Sequence, residues 1–86
     1  MTLQEGLEIL HLDAGANDNT VQALLDSAPS FIETATGMTE EAQADEPLAK
    51  TVTGFLIRLW YYGDKSDDVA LSRTIDSLLK TIKAKV

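Results

Sequence analysis

The chain contains one histidine, His11, and no cysteine, so it has a single imidazole that could act as a general base and no thiol nucleophile. A Ser-His-Asp or Cys-His arrangement would need this histidine. His11 ends a short apolar segment between Leu10 and Leu12, where a lone histidine is far more often structural or solvated than catalytic. We therefore expect no catalytic residues and no enzymatic activity.

The carboxylates show no spacing that would gather them into a metal or acid–base site. Glu40-Glu41 and Asp67-Asp68 are adjacent pairs in polar segments, and adjacent side chains do not converge on one point. The stretch 13–19 is rich in oxygen ligands, but it lacks the alternate spacing and the late bidentate acid of an EF-hand loop. No phosphate-binding glycine loop is present. We expect no metal and no cofactor.

One tripeptide, Asp76-Ser77-Leu78, resembles the motif of acyl carrier proteins, in which the serine carries phosphopantetheine. In that family the serine opens a helix near mid-chain, whereas Ser77 falls inside the last predicted helix, where we expect no accessible attachment point. A carrier is the least favoured alternative function.

The net charge of −7 is divided unevenly along the chain. Residues 1–49 carry ten carboxylates and no lysine or arginine, which gives −10, and residues 50–86 carry +3. An acidic protein is a poor general binder of DNA, because neutralising phosphates needs positive surface. A polarised protein can dock head to tail on copies of itself or on a partner of opposite sign.

Periodicity and caps predict an all-α fold, a small bundle of four main helices in a single domain over 1–86. We place the helices at 3–11, 19–35, 47–62 and 68–84. The first begins with a capping box, Thr2-x-x-Glu5, and Gly37 ends the second. Pro47 opens the third, and Ser66 or Asp67 caps the fourth.

Two segments conflict with this simple pattern. Pro29 lies inside the second helix, where it removes a backbone donor, so we expect a kink near Ala28 or a split into two helices. Residues 38–46 are acidic with little apolar area, and they predict a mobile loop or at most one helical turn.

The apolar stripes predict the core and leave one helix with apolar residues on both sides. In the third helix Ile57 and Tyr61 lie opposite the core stripe, near Gly54, which allows close helix approach. We favour a partner surface there over scattered exposed apolar residues, which are normal on protein surfaces. The predicted interface comprises Ile57, Tyr61, Arg73, Lys80 and Lys83. The predicted core comprises Leu24, Leu25, Phe31, Ile32, Phe55, Leu59, Trp60, Ile75, Leu78 and Leu79.

The chain has no apolar run near the roughly 20 residues that span a bilayer, and its first residues lack the basic region of a signal peptide. We expect a protein that does not associate with membranes. We also expect it to be soluble and intracellular when it is made. The basic face of the last helix could touch DNA phosphates, but we favour a solvated face or contact with an acidic protein surface.

Four segments in order resemble the head–tail connector family of tailed bacteriophages, also described as head-completion or DNA-packaging adaptor proteins. They are Leu3 to Asp13, the run from Leu24 to Gly37, the Pro47-led helix ending Trp60-Tyr61-Tyr62, and the terminal helix with Leu78-Leu79. Pro29 interrupts a helix that is normally continuous in that family, and 38–46 matches nothing in it.

The resemblance implies a structural virion subunit, made in the host cytoplasm, that forms a ring, usually of twelve copies, beneath the portal protein. Such a ring extends the DNA channel, through which DNA passes without sequence-specific binding, and it docks a neck or tail-completion protein. The alternative is a small helical adaptor or regulator unrelated to phage assembly.

Overall fold

The computed structural model describes residues 1–63 and 68–86, and within them the fold is all-α, as predicted. The helices are α1 (Leu3–Leu10), α2 (Asp18–Thr36), the one-turn α3 (Glu40–Gln43), α4 (Pro47–Tyr62) and α5 (Asp68–Ala84). The four main helices begin and end within one residue of the predicted bounds. The predicted cap at Ser66 or Asp67 lies outside the described residues.

Local capping chemistry explains most helix ends. The capping box of α1 is present, since the Glu5 N–H donates to Thr2 Oγ1 at 3.2 Å and the Thr2 N–H donates to Glu5 Oε1 at 3.1 Å. Gly37 ends α2 with a left-handed φ of 83°. Pro47 opens α4, and the carboxylate of Glu46 accepts from the Leu48 N–H at 3.1 Å.

The helix α2 runs unbroken through Pro29, so the alternative of two separate helices is wrong. A proline inside a helix costs about 3 kcal/mol, because one hydrogen bond is lost and the ring crowds the preceding turn. Ala28 and Ile32, on either side, are completely buried. In addition, Gln43 Nε2 donates to the Pro29 carbonyl oxygen at 3.0 Å. These tertiary contacts offset the local defect.

The acidic segment 38–46 contains one helical turn, α3, which is the upper limit of the prediction. The segment packs against the core. Thr39 caps the turn by accepting from the Ala42 N–H. Met38 and Gln43 are both only 9% exposed. The segment therefore closes one side of the bundle between α2 and α4.

The helices α2 and α4 form the centre of the bundle, since each contacts all of the other helices. The hydrophobic core has two parts. The first lies among α2, α4 and α5 and includes Ile32, Leu56 and Ile82. The second lies where α1 crosses α2 and α4 and includes Leu10 and Ile57. An apolar stripe on each side of α4 is thus covered by a different helix.

The predicted core residues divide into three groups by exposure. Leu25, Ile32, Ile75 and Leu79 are buried, and Leu24, Phe55, Leu59, Trp60 and Leu78 are half-buried against one of the two clusters. The prediction for Phe31 is wrong, because its side chain is 42% exposed. Phe31 follows the helical stripe, but it lies at the margin of the core, with the edge of one ring against the face of the other in its contact with Trp60.

Tyr62 fastens the end of α4 to the end of α1, because its hydroxyl donates to the Leu10 carbonyl oxygen. That carbonyl is one of the last in α1, where helical partners run out. We expect Tyr62→Phe to lower the free energy of unfolding by about 1 kcal/mol, measured by urea denaturation. Tyr61→Phe is the matched control, since the Tyr61 hydroxyl has no hydrogen bond within the described residues. An equal loss in both variants would contradict this assignment.

Candidate interaction surfaces

His11 has a structural position in the fold. It is the C-cap of α1, it adopts a left-handed φ of 58°, and its N–H donates to the Glu8 and Leu7 carbonyl oxygens. Its side chain is exposed. Asp18 Oδ1 accepts from the Gly15 N–H at 2.9 Å, so an oxygen in the calcium-like stretch is used to shape the turn. Across residues 1–63 and 68–86, no group of three metal-ligating side chains converges.

Ile57 is not available to a partner, so its assignment to the interface is wrong. Its side chain is completely buried in the second cluster, beneath α1. Tyr61 is half-buried against the same cluster and stacks edge to face on Tyr62, with ring centroids 5.1 Å apart. Gly54 does permit a close approach, but by α1 of the same chain: a Cβ there would lie 3.4 Å from Ile9 Cδ1. The second apolar side of α4 is therefore core.

The three predicted basic interface residues lie on the surface. Arg73, Lys80 and Lys83 are exposed along one stripe of α5, which also carries the exposed Asp76. Within the described part of the chain, none of the three cations forms an ion pair. The stripe therefore presents a net positive charge to solvent on an otherwise acidic protein.

Ser77 lies in the interior of α5, as predicted, and its side chain is exposed. The expectation that a serine there is inaccessible is therefore wrong. The hydroxyl of Thr81 donates to the Ser77 carbonyl oxygen at 3.0 Å, which belongs to ordinary helix chemistry. No feature of the surrounding residues distinguishes Ser77 as an attachment site.

Concave regions on the described surface include a cleft and a groove. A cleft of about 540 Å³ lies among α2, α3 and α4, lined by Pro29, Gln43 and charged residues of the 40–50 segment. A shallow groove of about 590 Å³ runs between α1 and α4, lined mainly by apolar atoms of Ile9, Gly54 and Phe55. Neither was predicted, since each arises from the placement of separate helices relative to one another.

Within the described residues, two ion pairs join the acidic half of the sequence to the basic half. Lys50 Nζ lies 2.6 Å from Glu5 Oε2, and Lys85 Nζ lies 2.9 Å from Glu46 Oε1. The Lys50 contact, together with the Thr2 N–H, lowers the pKa of Glu5 to about 2. The Lys85 contact, together with the Leu48 N–H, lowers the pKa of Glu46. The charge segregation seen in the sequence is thus partly neutralised within the fold.

The lowered pKa of Glu5 predicts a specific acid response. A carboxylate whose pKa falls on folding stabilises the fold above its unfolded pKa near 4.5, and that contribution is lost as pH falls toward about 2. We expect Lys50→Gln to be less stable than the parent at pH 6, with the difference shrinking between pH 4.5 and 2 in urea denaturation. Lys80→Gln is the control and should show no pH-dependent difference. A Lys50→Gln difference that persists unchanged at pH 2 would contradict the prediction.

None of the helices in the described ranges is long and apolar enough to cross a membrane. Comparison with known proteins finds no matching family model, no matching curated protein and no matching solved structure.

Proposed function

We propose that this chain is a non-enzymatic structural subunit that acts by assembling with other proteins, and that its assembly is the ring beneath the portal in the head–tail connector of a tailed phage. In this role it extends the DNA channel and docks a neck or tail-completion protein. The protein would be located in the virion, and in the host cytoplasm during assembly.

The observation that carries the proposal is the stripe of exposed cations on α5, which have no ion pair within the described residues and lie on a protein of net charge −7. Exposed positive charges on an otherwise acidic protein suit docking on an acidic surface. Complementary charges of this kind set the choice of partner and the register of the contact. Phe31, 42% exposed beside Trp60, adds an aromatic group of the kind enriched at interfaces.

The segments that carry the family resemblance fall on helices of the fold, which also supports the proposal. The run from Leu3 to Asp13 contains α1, and the run from Leu24 to Gly37 is the C-terminal part of α2. The Pro47-led segment is α4. Although Pro29 departs from the family pattern, α2 is continuous through it, as the corresponding helix normally is in that family. The proposal does not rest on a surplus apolar side of α4, since α1 covers it.

The decisive experiment measures mass in solution, by light scattering and mass photometry, with and without the portal protein encoded in the same genome. A ring that forms on the portal, visible as a closed annulus by negative-stain electron microscopy, is the expected result. A protein that stays monomeric and ignores the portal would overturn the connector role. A stable dimer without a ring would favour a general adaptor, and phosphopantetheine attached to Ser77 would favour a carrier.

A further inference from the structure

The cleft among α2, α3 and α4 holds a set of groups that can only accept hydrogen bonds. Gln43 is nine-tenths buried, and both hydrogens of its Nε2 are donated, at 3.0 Å each, to the carbonyl oxygens of Pro29 and Met38. Its Oε1 accepts no hydrogen bond from the described residues. Every fully buried side-chain oxygen among the described residues does have a hydrogen-bond partner. The oxygen is therefore not fully buried, and Gln43 is one of the residues that line the cleft.

The carboxylates around this oxygen divide into paired and unpaired ones. Glu46 is paired with Lys85, and Lys50, the one lysine or arginine side chain among the described residues that line the cleft, is paired with Glu5. Glu40 and Asp45 also line the cleft, and their side chains have neither an ion pair nor a hydrogen bond within the described ranges. Two free carboxylates and one free amide oxygen together suit a cationic donor, above all the multi-donor guanidinium of arginine.

The chain itself carries a suitable cation that its own cleft cannot receive. Lys85 lies at the cleft, paired with Glu46, and Arg73 lies twelve residues earlier, about 18 Å away along the axis of α5. Arg73 is exposed and free of any ion pair within the described part of the chain. A second copy of the chain can place its Arg73 in the cleft of the first copy, which the first copy's own Arg73 cannot reach.

We propose that the cleft of one subunit binds the α5 stripe of a second copy, with Arg73 inserted between Glu40, Asp45 and Gln43 Oε1. The contact joins two different surfaces, so it is head to tail, and repeated contacts of this kind close into a ring when the rotation permits. Lys80 of the entering helix faces the acidic rim, where Glu41 is exposed. The contact between cleft and α5 stripe would be the subunit contact of the proposed ring. It rests on the proposed function only for the position of that ring beneath the portal.

The test reverses charge on each surface separately and then combines the two variants. Glu40→Lys with Asp45→Lys makes the cleft basic, and Arg73→Glu makes the stripe less basic. Self-association is measured by sedimentation velocity at about 50 mM salt, where screening of exposed charges is modest. Each variant alone is expected to associate at least roughly tenfold more weakly than the parent, a change of about 1.4 kcal/mol. An equimolar mixture is expected to recover association, because the unaltered stripe of the cleft variant can enter the unaltered cleft of the Arg73→Glu variant. The basic cleft can in turn receive the carboxylate that the Arg73→Glu substitution introduces.

Matched controls change the same charge at places outside the contact. Asp13→Lys with Asp26→Lys alters two exposed acids away from the cleft, and Arg58→Glu alters an exposed arginine on α4. These controls are expected to associate within about threefold of the parent. Circular dichroism and urea denaturation of every variant confirm that the fold is retained.

The outcomes separate this contact from the wider proposal. Controls that weaken association as much as the contact variants, or a mixture that gains nothing over its components, would overturn the cleft assignment. A parent protein that stays monomeric at all concentrations would do the same. Binding to the portal without this contact would preserve the connector role alone, and self-association through the cleft without portal binding would preserve the contact alone.

Discussion

Replacing Ile57 with alanine is expected to lower the free energy of unfolding by about 2–5 kcal/mol, the range seen for large-to-small changes at fully buried positions. Ile57 is completely buried where α1 crosses α4, beside Leu7 and Leu10. A chain of this length has roughly 4–13 kcal/mol of total stability, so the change removes a large share of it. Urea denaturation followed by circular dichroism measures the effect.

The expected loss distinguishes a core residue from an interface residue. Val69→Ala is the control, because Val69 is 68% exposed on α5 and its truncation should change stability by less than about 0.5 kcal/mol. If Ile57 served a partner surface, Ile57→Ala would leave the isolated subunit as stable as the control does. That outcome would show that α1 does not cover this side of α4 in solution.

Replacing Trp60 with alanine is expected to cost about 3 kcal/mol, near the lower end for large aromatic truncations, because Trp60 is half-buried. Its ring packs edge to face with Phe31 at a centroid distance of 5.6 Å and an angle of 83°. This geometry adds about 1 kcal/mol to the area term. Differential scanning calorimetry should show a lower Tm with the transition still cooperative.

The partner ring provides the matched comparison for Trp60. Phe31→Ala removes the same aromatic contact but exposes less new apolar surface, since Phe31 is already 42% exposed. We therefore expect a cost of about 1–1.5 kcal/mol for Phe31→Ala and a coupling of about 1 kcal/mol in the double variant. Additive losses would show that the ring contact contributes nothing, and unchanged Tm values would remove Trp60 from the core.

Local backbone chemistry explains why the sequence alone predicted the helices so closely. The Thr2–Glu5 box, Pro47 and Gly37 each act within one turn of the chain, so their effects do not depend on distant neighbours. Apolar spacing likewise marks which side of a helix faces inward. The all-α class and the helix bounds follow from such short-range terms.

Burial is different, because it depends on which helix covers a given side. Ile57 has the same local pattern whether α1 or a partner lies over it. The packing of α1 is decided by close approaches: a Cβ at Gly6 would lie 3.1 Å from Leu25 Cδ1 and 3.2 Å from Val21 Cγ1. Phe31 shows the reverse case, a residue on the apolar stripe that stays 42% exposed at the edge of the described helices.

The sequence by itself determined the helical elements, the uneven charge and the lack of cysteine. Only the tertiary structure decided that α2 continues through Pro29, that Gln43 is buried, and that Gln43 lines a cleft together with Glu40 and Asp45. The physical reason is distance along the chain: Gln43 meets Pro29 across fourteen residues, and no local pattern encodes that contact.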